Sequence, residues 1–147
     1  VGPAGRVYAF EPTKFASDKL RVNCSLNPEL ATRITLLQMM LVSDLAMVLP
    51  SELFSSWPLQ DKGPVHEKHK GRLMSTAGAD ISTLDDSIAK HAIGRVDLIK
   101  LDVDGHELGV LRGASSTLRR FSPRIVMELS PYIHAETGES FDELVYI

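Results

Sequence analysis

The sequence predicts an α/β fold with a mostly parallel sheet. Residues 96–103, VDLIKLDV, form an apolar run rich in Val, Ile and Leu. Residues 107–118 then place Leu108, Leu111 and Leu118 at helical spacing, and residues 124–129 return as a second short apolar run. A buried strand, an amphipathic helix and another buried strand in direct succession make a βαβ unit, whose strands run parallel. Asp104-Gly105 marks the turn between the first strand and the helix. Asp102, Asp104, His106 and Glu107 gather there, at the carboxyl end of the strand, which is where open α/β sheets put their ligands.

The remaining elements follow in order. Residues 1–5 are a Gly/Pro lead-in, and Arg6-Val7-Tyr8-Ala9-Phe10 has strand character. Glu11-Pro12 ends that strand, because a proline biases its predecessor away from the helical region. Thr13 is the expected N-cap of a helix over residues 14–23, with Phe15 and Leu20 on its apolar side. Asn27-Pro28 stops this unit, and residues 34–42 read as one strand with Ser43-Asp44 at its carboxyl end. Residues 45–80 are the least organised: short strands are expected at 47–49 and 79–82, an apolar patch at 53–57, and an exposed loop at 62–72, broken by Gly63, Pro64 and Gly71. Thr83-Leu84-Asp85-Asp86 resembles a helix start with a loose capping box, since Asp is shorter than the preferred Glu or Gln. Beyond Pro131 a polar loop leads to a last element at 141–147.

Composition bounds the function classes. The 147 residues are 44% hydrophobic and 24% charged, as in ordinary globular domains, and suffice for a real core. A net charge of -3 gives no global attraction to nucleic acid or anionic lipid, and Arg119, Arg120 and Lys100 are too scattered to form a nucleic-acid surface. No apolar run approaches the roughly 18 residues of a membrane span. The greasiest window, 34–49, is interrupted by Thr35, Gln38, Ser43 and Asp44. The single cysteine, Cys24, excludes an internal disulfide and suits a reducing compartment. With no charged leader before an apolar core, a cytoplasmic location is expected. The chain begins at Val rather than Met, so a processed product or a piece of something longer is expected. The oligomeric state is not legible.

Glu11, at the end of its strand, can accept two hydrogen bonds from ribose hydroxyls, although a strand-end Glu is more often a plain surface residue. No glycine-rich nucleotide fingerprint accompanies it. The acidic cluster invites a metal reading that spacing removes: an EF-hand loop starting at Asp102 needs Gly and Glu where Glu107 and Gly113 stand. His66-Glu67-Lys68-His69 falls one residue short of the zincin spacing, so no metal site is expected. No G-x-S-x-G elbow supports hydrolysis by a serine. His106 has the side chain whose unperturbed pKa lies nearest neutrality and is a candidate general base; a structural histidine at a helix start is equally consistent. Asp104 and Glu107 also suit the first turn of a helix, and Gly113 allows close helix packing.

GRVYAFEP at 5–12, L-x-x-N-x-x-L-N at 20–27, TLDD at 83–86, VDLIKLDVDGHEL-x-VLRGA at 96–114 and PRIVMELSP at 123–131 follow one another. In this order and spacing they resemble the FkbM-type methyltransferases, class I enzymes that use S-adenosyl-L-methionine. The likeness spans nearly the whole chain as one methyltransferase domain, weakest in a variable insertion at about residues 45–80. It implies a Rossmann-like sheet and methyl transfer, usually to an oxygen of a small molecule such as a sugar, a lipid or a natural-product intermediate.

By this resemblance Glu11 holds the cofactor ribose, with Phe10 and Pro12 beside it, and Ser43 and Asp44 line the adenine side. Asp102 faces the cofactor methionine and the acceptor. Asp102, Asp104 and His106 form the catalytic edge, with Glu107 and Glu128 toward the acceptor. Family members carry a further strand and a D-x-G-x-N-x-G-like turn before V-Y-A-F-E-P. The chain starts after it, so a sheet incomplete at both ends and weak cofactor binding by these residues alone are expected. Another nucleotide-cofactor enzyme or a non-catalytic α/β domain are the competing readings.

Overall fold

The computed structural model describes residues 1–55, 64–68, 70–129, 138 and 140–146. The chain divides into two compact units: Val1–Met40 with Leu49–Asp80, and Leu41–Val48 with Ile81–Ile147.

In the first unit, β1 (Val7–Phe10) lies parallel to β2 (Ile34–Leu37), with Val7 opposite Ile34 and Phe10 opposite Leu37. Parallel neighbours need a crossover. It consists of α1 (Lys14–Ser25) and a short α2 (Pro28–Ala31). Pro28 ends the first helix yet suits the first turn of the next, where its missing N–H is no loss. Thr13 occupies the N-cap position of α1 without a side-chain capping bond. The strand expected over 34–42 is cut at Gln38 into β2 and β3 (Met39–Leu41). Gln38 Nε2 donates to Ala77 O at 2.9 Å, and Gln38 O accepts from Asp80 N at 3.1 Å. Two tertiary bonds therefore replace straight continuation of the ladder.

The strand expected at 47–49 is absent: Met47 N bonds back to Asp44 O in a turn. An antiparallel pair appears instead, β4 (Glu52–Ser55) with β5 (Arg72–Ser75). Residues 64–68 and 70–72 do not form a detached loop: Val65 bridges to Arg72, and the His66 ring packs edge-on against Phe54 at 5.1 Å. Residues 56–63 and 69, which include part of the expected apolar patch and His69, lie outside the described residues. β6 (Asp80–Ser82) pairs with β3, and the division between the units falls within both strands.

The second unit contains the predicted βαβ. Thr83 caps α3 (Leu84–Lys90) with the forward half of a capping box: its Oγ1 accepts Asp86 N at 3.0 Å, and its hydroxyl donates to Asp86 Oδ2 at 2.7 Å. β7 (Leu98–Leu101) is parallel to β8 (Arg124–Met127), Leu98 opposite Arg124 and Leu101 opposite Met127. The helix expected over 107–118 is two helices, α4 (Glu107–Arg112) and α5 (Ser115–Phe121). In an unbroken helix Thr117 N would bond Gly113 O. Here Asp85 N takes Gly113 O at 3.0 Å, and Asp85 Oδ1 takes Thr117 N at 2.7 Å.

Leu101, Leu108, Val110, Leu111 and Leu144 form the core of this unit, with Leu41, Ile99, Val103, Leu118, Ile125, Met127 and Phe141 packed against it. Leu144 comes from α6 (Phe141–Tyr146), which makes the last predicted element a helix. Strand alternation explains the division of side chains: Ile99, Leu101, Ile125 and Met127 face the core, while Leu98, Lys100, Arg124 and Val126 stay exposed.

The fold is therefore mixed α/β. The single Rossmann-like sheet gives way, among the described residues, to four two-stranded pairs, β1–β2, β3–β6, β4–β5 and β7–β8. The strands are only three or four residues long, and breaks such as Gln38 stop their ladders from extending. No helix among the described residues is long and apolar enough to cross a membrane.

Candidate active site

In the first unit, Glu11 N donates to Leu37 O at 3.0 Å, which carries the β1–β2 ladder one residue past β1 and fixes Glu11 at its carboxyl edge. Its Oε1 accepts both Thr13 N at 2.8 Å and Thr13 Oγ1 at 2.6 Å. Thr13 is fully buried, and its hydroxyl turns back to the carboxylate instead of capping α1. Glu11 is thus a half-buried, oriented carboxylate whose Oε2 accepts no bond among the described residues. Phe10 and Pro12, on either side, are half-buried.

In the second unit, Ser43 and Asp44 follow β3. Asp44 Oδ1 accepts Ala46 N at 2.8 Å, the side-chain turn expected of Asp, and the Ser43 hydroxyl donates to Met47 Sδ at 3.6 Å.

The acidic turn runs from β7 into α4. Asp104 and Gly105 both have positive φ, 49° and 95°. Glycine enters this region without steric cost, and Asp is one of the few other residues that tolerate it. Glu107 closes the turn from inside: it is 3% exposed, and its Oε1 accepts Val103 N and Gly105 N, each at 3.3 Å. Through these bonds the Glu107 carboxylate ties the backbone of the turn together. His106 sits at the N-cap position of α4, half-buried and with no side-chain cap bond.

Asp102 and Glu128 stand just beyond the carboxyl ends of β7 and β8, and Glu128 N donates to Leu101 O at 3.1 Å. Their carboxyl groups act on each other's ionisation. The Lys100 ammonium pairs with Asp102 Oδ2 at 2.5 Å. That hydrogen bond, against an opposing effect of burial and with help from the Lys100 charge, holds Asp102 below the usual Asp value. Glu128 is pushed above the usual Glu value, first by its hydrogen bond to Asp102 and then by the Asp102 charge. Two adjacent carboxyls cannot both ionise freely, so the proton stays longer on Glu128.

The site residues thus fall into two groups. Asp102, Asp104, Glu107 and Glu128 act on one another within the second unit, where Ser43, Asp44 and His106 also lie; Phe10, Glu11 and Pro12 lie in the first. Sequence reasoning did not give Thr13 and Lys100 their roles as carboxylate partners. The signals were present: Glu11 and Thr13 flank a proline, and Lys100 and Asp102 are two apart along a strand direction, hence on one face. Among the described residues no three His, Cys, Asp or Glu side chains come together to hold a metal ion.

The carboxylates at the carboxyl ends of these short parallel strand pairs occupy the place where open α/β sheets put their ligands. The family model described as the methyltransferase FkbM domain matches residues 1–147, and the chain belongs to that family. Methyl transfer is the general chemistry this membership assigns. No curated protein and no solved structure matched the chain.

Proposed function

We propose that the chain takes part in transferring a methyl group from S-adenosyl-L-methionine to a hydroxyl oxygen of a small molecule, of the sugar, lipid or natural-product kind. One observation carries this reading: Asp102 and Glu128 stand at the neighbouring carboxyl ends of parallel β7 and β8, with Lys100 paired to Asp102. A hydroxyl becomes a better nucleophile as its proton leaves, and an ionised carboxylate within reach can take that proton. Asp102, kept charged by Lys100, is the base in this proposal. Asp104 and His106 are further catalytic groups on the same turn. Glu128, beside Asp102, orients the acceptor, and Glu107 acts on the acceptor side through the turn it ties down.

The chemistry of the donor set fits the cofactor. Glu11 would offer Oε2, which accepts no bond among the described residues, to a ribose diol while Thr13 fixes Oε1, and Phe10 and Pro12 flank it. Ser43 and Asp44 offer a hydroxyl and a carboxylate to the adenine, and Asp102 would meet the methionine end. When bound, S-adenosyl-L-methionine supplies a methyl group made electrophilic by its sulfonium sulfur. The residues' main contribution is then alignment of the acceptor oxygen, which holding groups in place can supply. Cys24 is a free, half-buried thiol, in keeping with a cytoplasmic setting.

Calorimetric titration with S-adenosylhomocysteine, paired with a methylation assay on hydroxyl acceptors, tests the proposal. Glu11→Gln is expected to weaken binding by about tenfold or more, as for a lost hydrogen bond to a charged group. Asp102→Asn is expected to lower kcat by about a hundredfold. Retention of the wild-type chain on immobilised NAD but not on S-adenosylhomocysteine would overturn the reading in favour of a dehydrogenase-type protein.

A further inference from the structure

Gly113, at the break between α4 and α5, approaches another segment more closely than a side chain would permit. A Cβ built on it would lie 2.2 Å from Val42 O, 3.2 Å from Val42 C and 3.3 Å from Thr83 Cβ. Its φ of -73° and ψ of 0° suit any residue, so glycine is required here by space and not by backbone conformation. The obstructing atom belongs to the main chain and cannot rotate away as a side-chain tip would.

The two sides of this contact are unequally anchored. Gly113 N donates to Gly109 O at 3.1 Å, and Gly113 O accepts Asp85 N at 3.0 Å. The Asp85 carboxylate takes Ser116 N at 2.9 Å, and Thr117 N and Oγ1 at 2.7 Å each. Leu111 and Ala114, beside Gly113, are 1% and 0% exposed. On the other side, Val42 is also buried and its N donates to Ser82 O at 2.9 Å, but directly beyond it the chain enters the exposed turn that carries Ser43 and Asp44. Pressure applied at Gly113 therefore moves the turn sooner than the helices.

We infer that Gly113 is a positioning residue: its bare Cα sets where Val42 lies and, through Val42, where Ser43 and Asp44 present their side chains. This rests on the proposed role of Ser43 and Asp44 toward the cofactor adenine, but the positional half can be read without any ligand.

The test is amide hydrogen exchange on the whole chain, wild type against Gly113→Ala, followed by titration with S-adenosylhomocysteine. Exchange across residues 42–47 is expected to rise about tenfold while residues 101–111 keep their protection. The KM for S-adenosyl-L-methionine is expected to rise about tenfold with kcat within about twofold of wild type, the pattern of lost ground-state binding. Should Gly113→Ala fail to fold by circular dichroism, Asp85→Ala decides: it frees the helix side without adding an atom, and a smaller rise over residues 42–47 is expected. Unchanged exchange at 42–47, or a rise spread equally over 101–111, overturns the inference. Altered exchange at 42–47 in a chain whose wild type binds no S-adenosylhomocysteine keeps the positioning and removes the cofactor reading.

Discussion

Glu107 shows how one side chain can be conspicuous in the sequence and yet have its role hidden there. D-V-D-G-H-E marks a turn into a helix, and a carboxylate in the first turn of a helix ordinarily faces water while favouring the positive helix end. Glu107 is buried instead and holds Val103 N and Gly105 N. Glu107→Ala would leave both donors unpaired next to the left-handed Asp104 and Gly105, at a cost of about 1–3 kcal/mol. Glu107→Gln keeps an acceptor of the same length and is expected to recover about half of that loss. Urea denaturation of the three proteins checks the order, wild type above Gln above Ala. Equal stability of wild type and Ala would mean that the turn holds without the carboxylate. The turn itself was legible because Asp-Gly carries its own conformational demand. The inward direction of Glu107 was not, because it depends on where the core lies.

At the scale of elements, the β7–β8 ladder brings Lys100 to Asp102 and sets Asp102 beside Glu128, so that the two acids shift each other's titration. Asp102 is held down, so its contribution to stability is present above the unfolded Asp value and is lost as pH falls through the lowered folded value. Glu128 is pushed up, so its contribution is present below the unfolded Glu value and is lost as pH rises through the raised folded value. The pair therefore supports the fold fully between the unfolded values, 3.8 and 4.5, and this support fades to its acid edge at Asp102's lowered value and to its other edge at Glu128's raised value. Lys100→Met removes the hydrogen bond that most lowers Asp102, so Asp102 should titrate higher and the acid edge of the window should move up. Carboxyl-carbon NMR titration of both residues reads this directly. An Asp102 that titrates identically in both proteins would mean that Lys100 is a passive surface neighbour, the usual fate of exposed ion pairs.

The elements were readable where pattern and local chemistry agree, as in β1, α1, α3 and β8. They were misread where a tertiary bond displaces a local one. Gln38 exchanges ladder continuity for bonds to Ala77 and Asp80, and Asp85 takes over the bonds that would have run one helix through Gly113. No window of the sequence holds both partners of such an exchange.

For the molecule as a whole, the α/β class followed from periodicity, but strand order did not: a three- or four-residue apolar run carries too little information to choose its neighbour. Family membership extends across residues 1–147, and the proposed cofactor can be tested on the whole chain. A ligand that binds only the folded chain raises stability by mass action, about 2.7 kcal/mol at a hundredfold excess over Kd. For a chain of this size that is a rise in Tm of about 5 to 10 °C. S-adenosylhomocysteine should produce it in the wild type by calorimetric melting, and adenosine should give a smaller rise, since it lacks the amino-acid end that Asp102 is proposed to meet. Glu11→Gln should lose most of the rise while melting near the wild type without ligand, because Glu11 is half-buried at a strand end and lies outside the Leu101–Leu108–Leu111 core. If Glu11→Gln instead melts far below the wild type and still shows the full ligand-induced rise, Glu11 serves α1 through Thr13 and not the ribose.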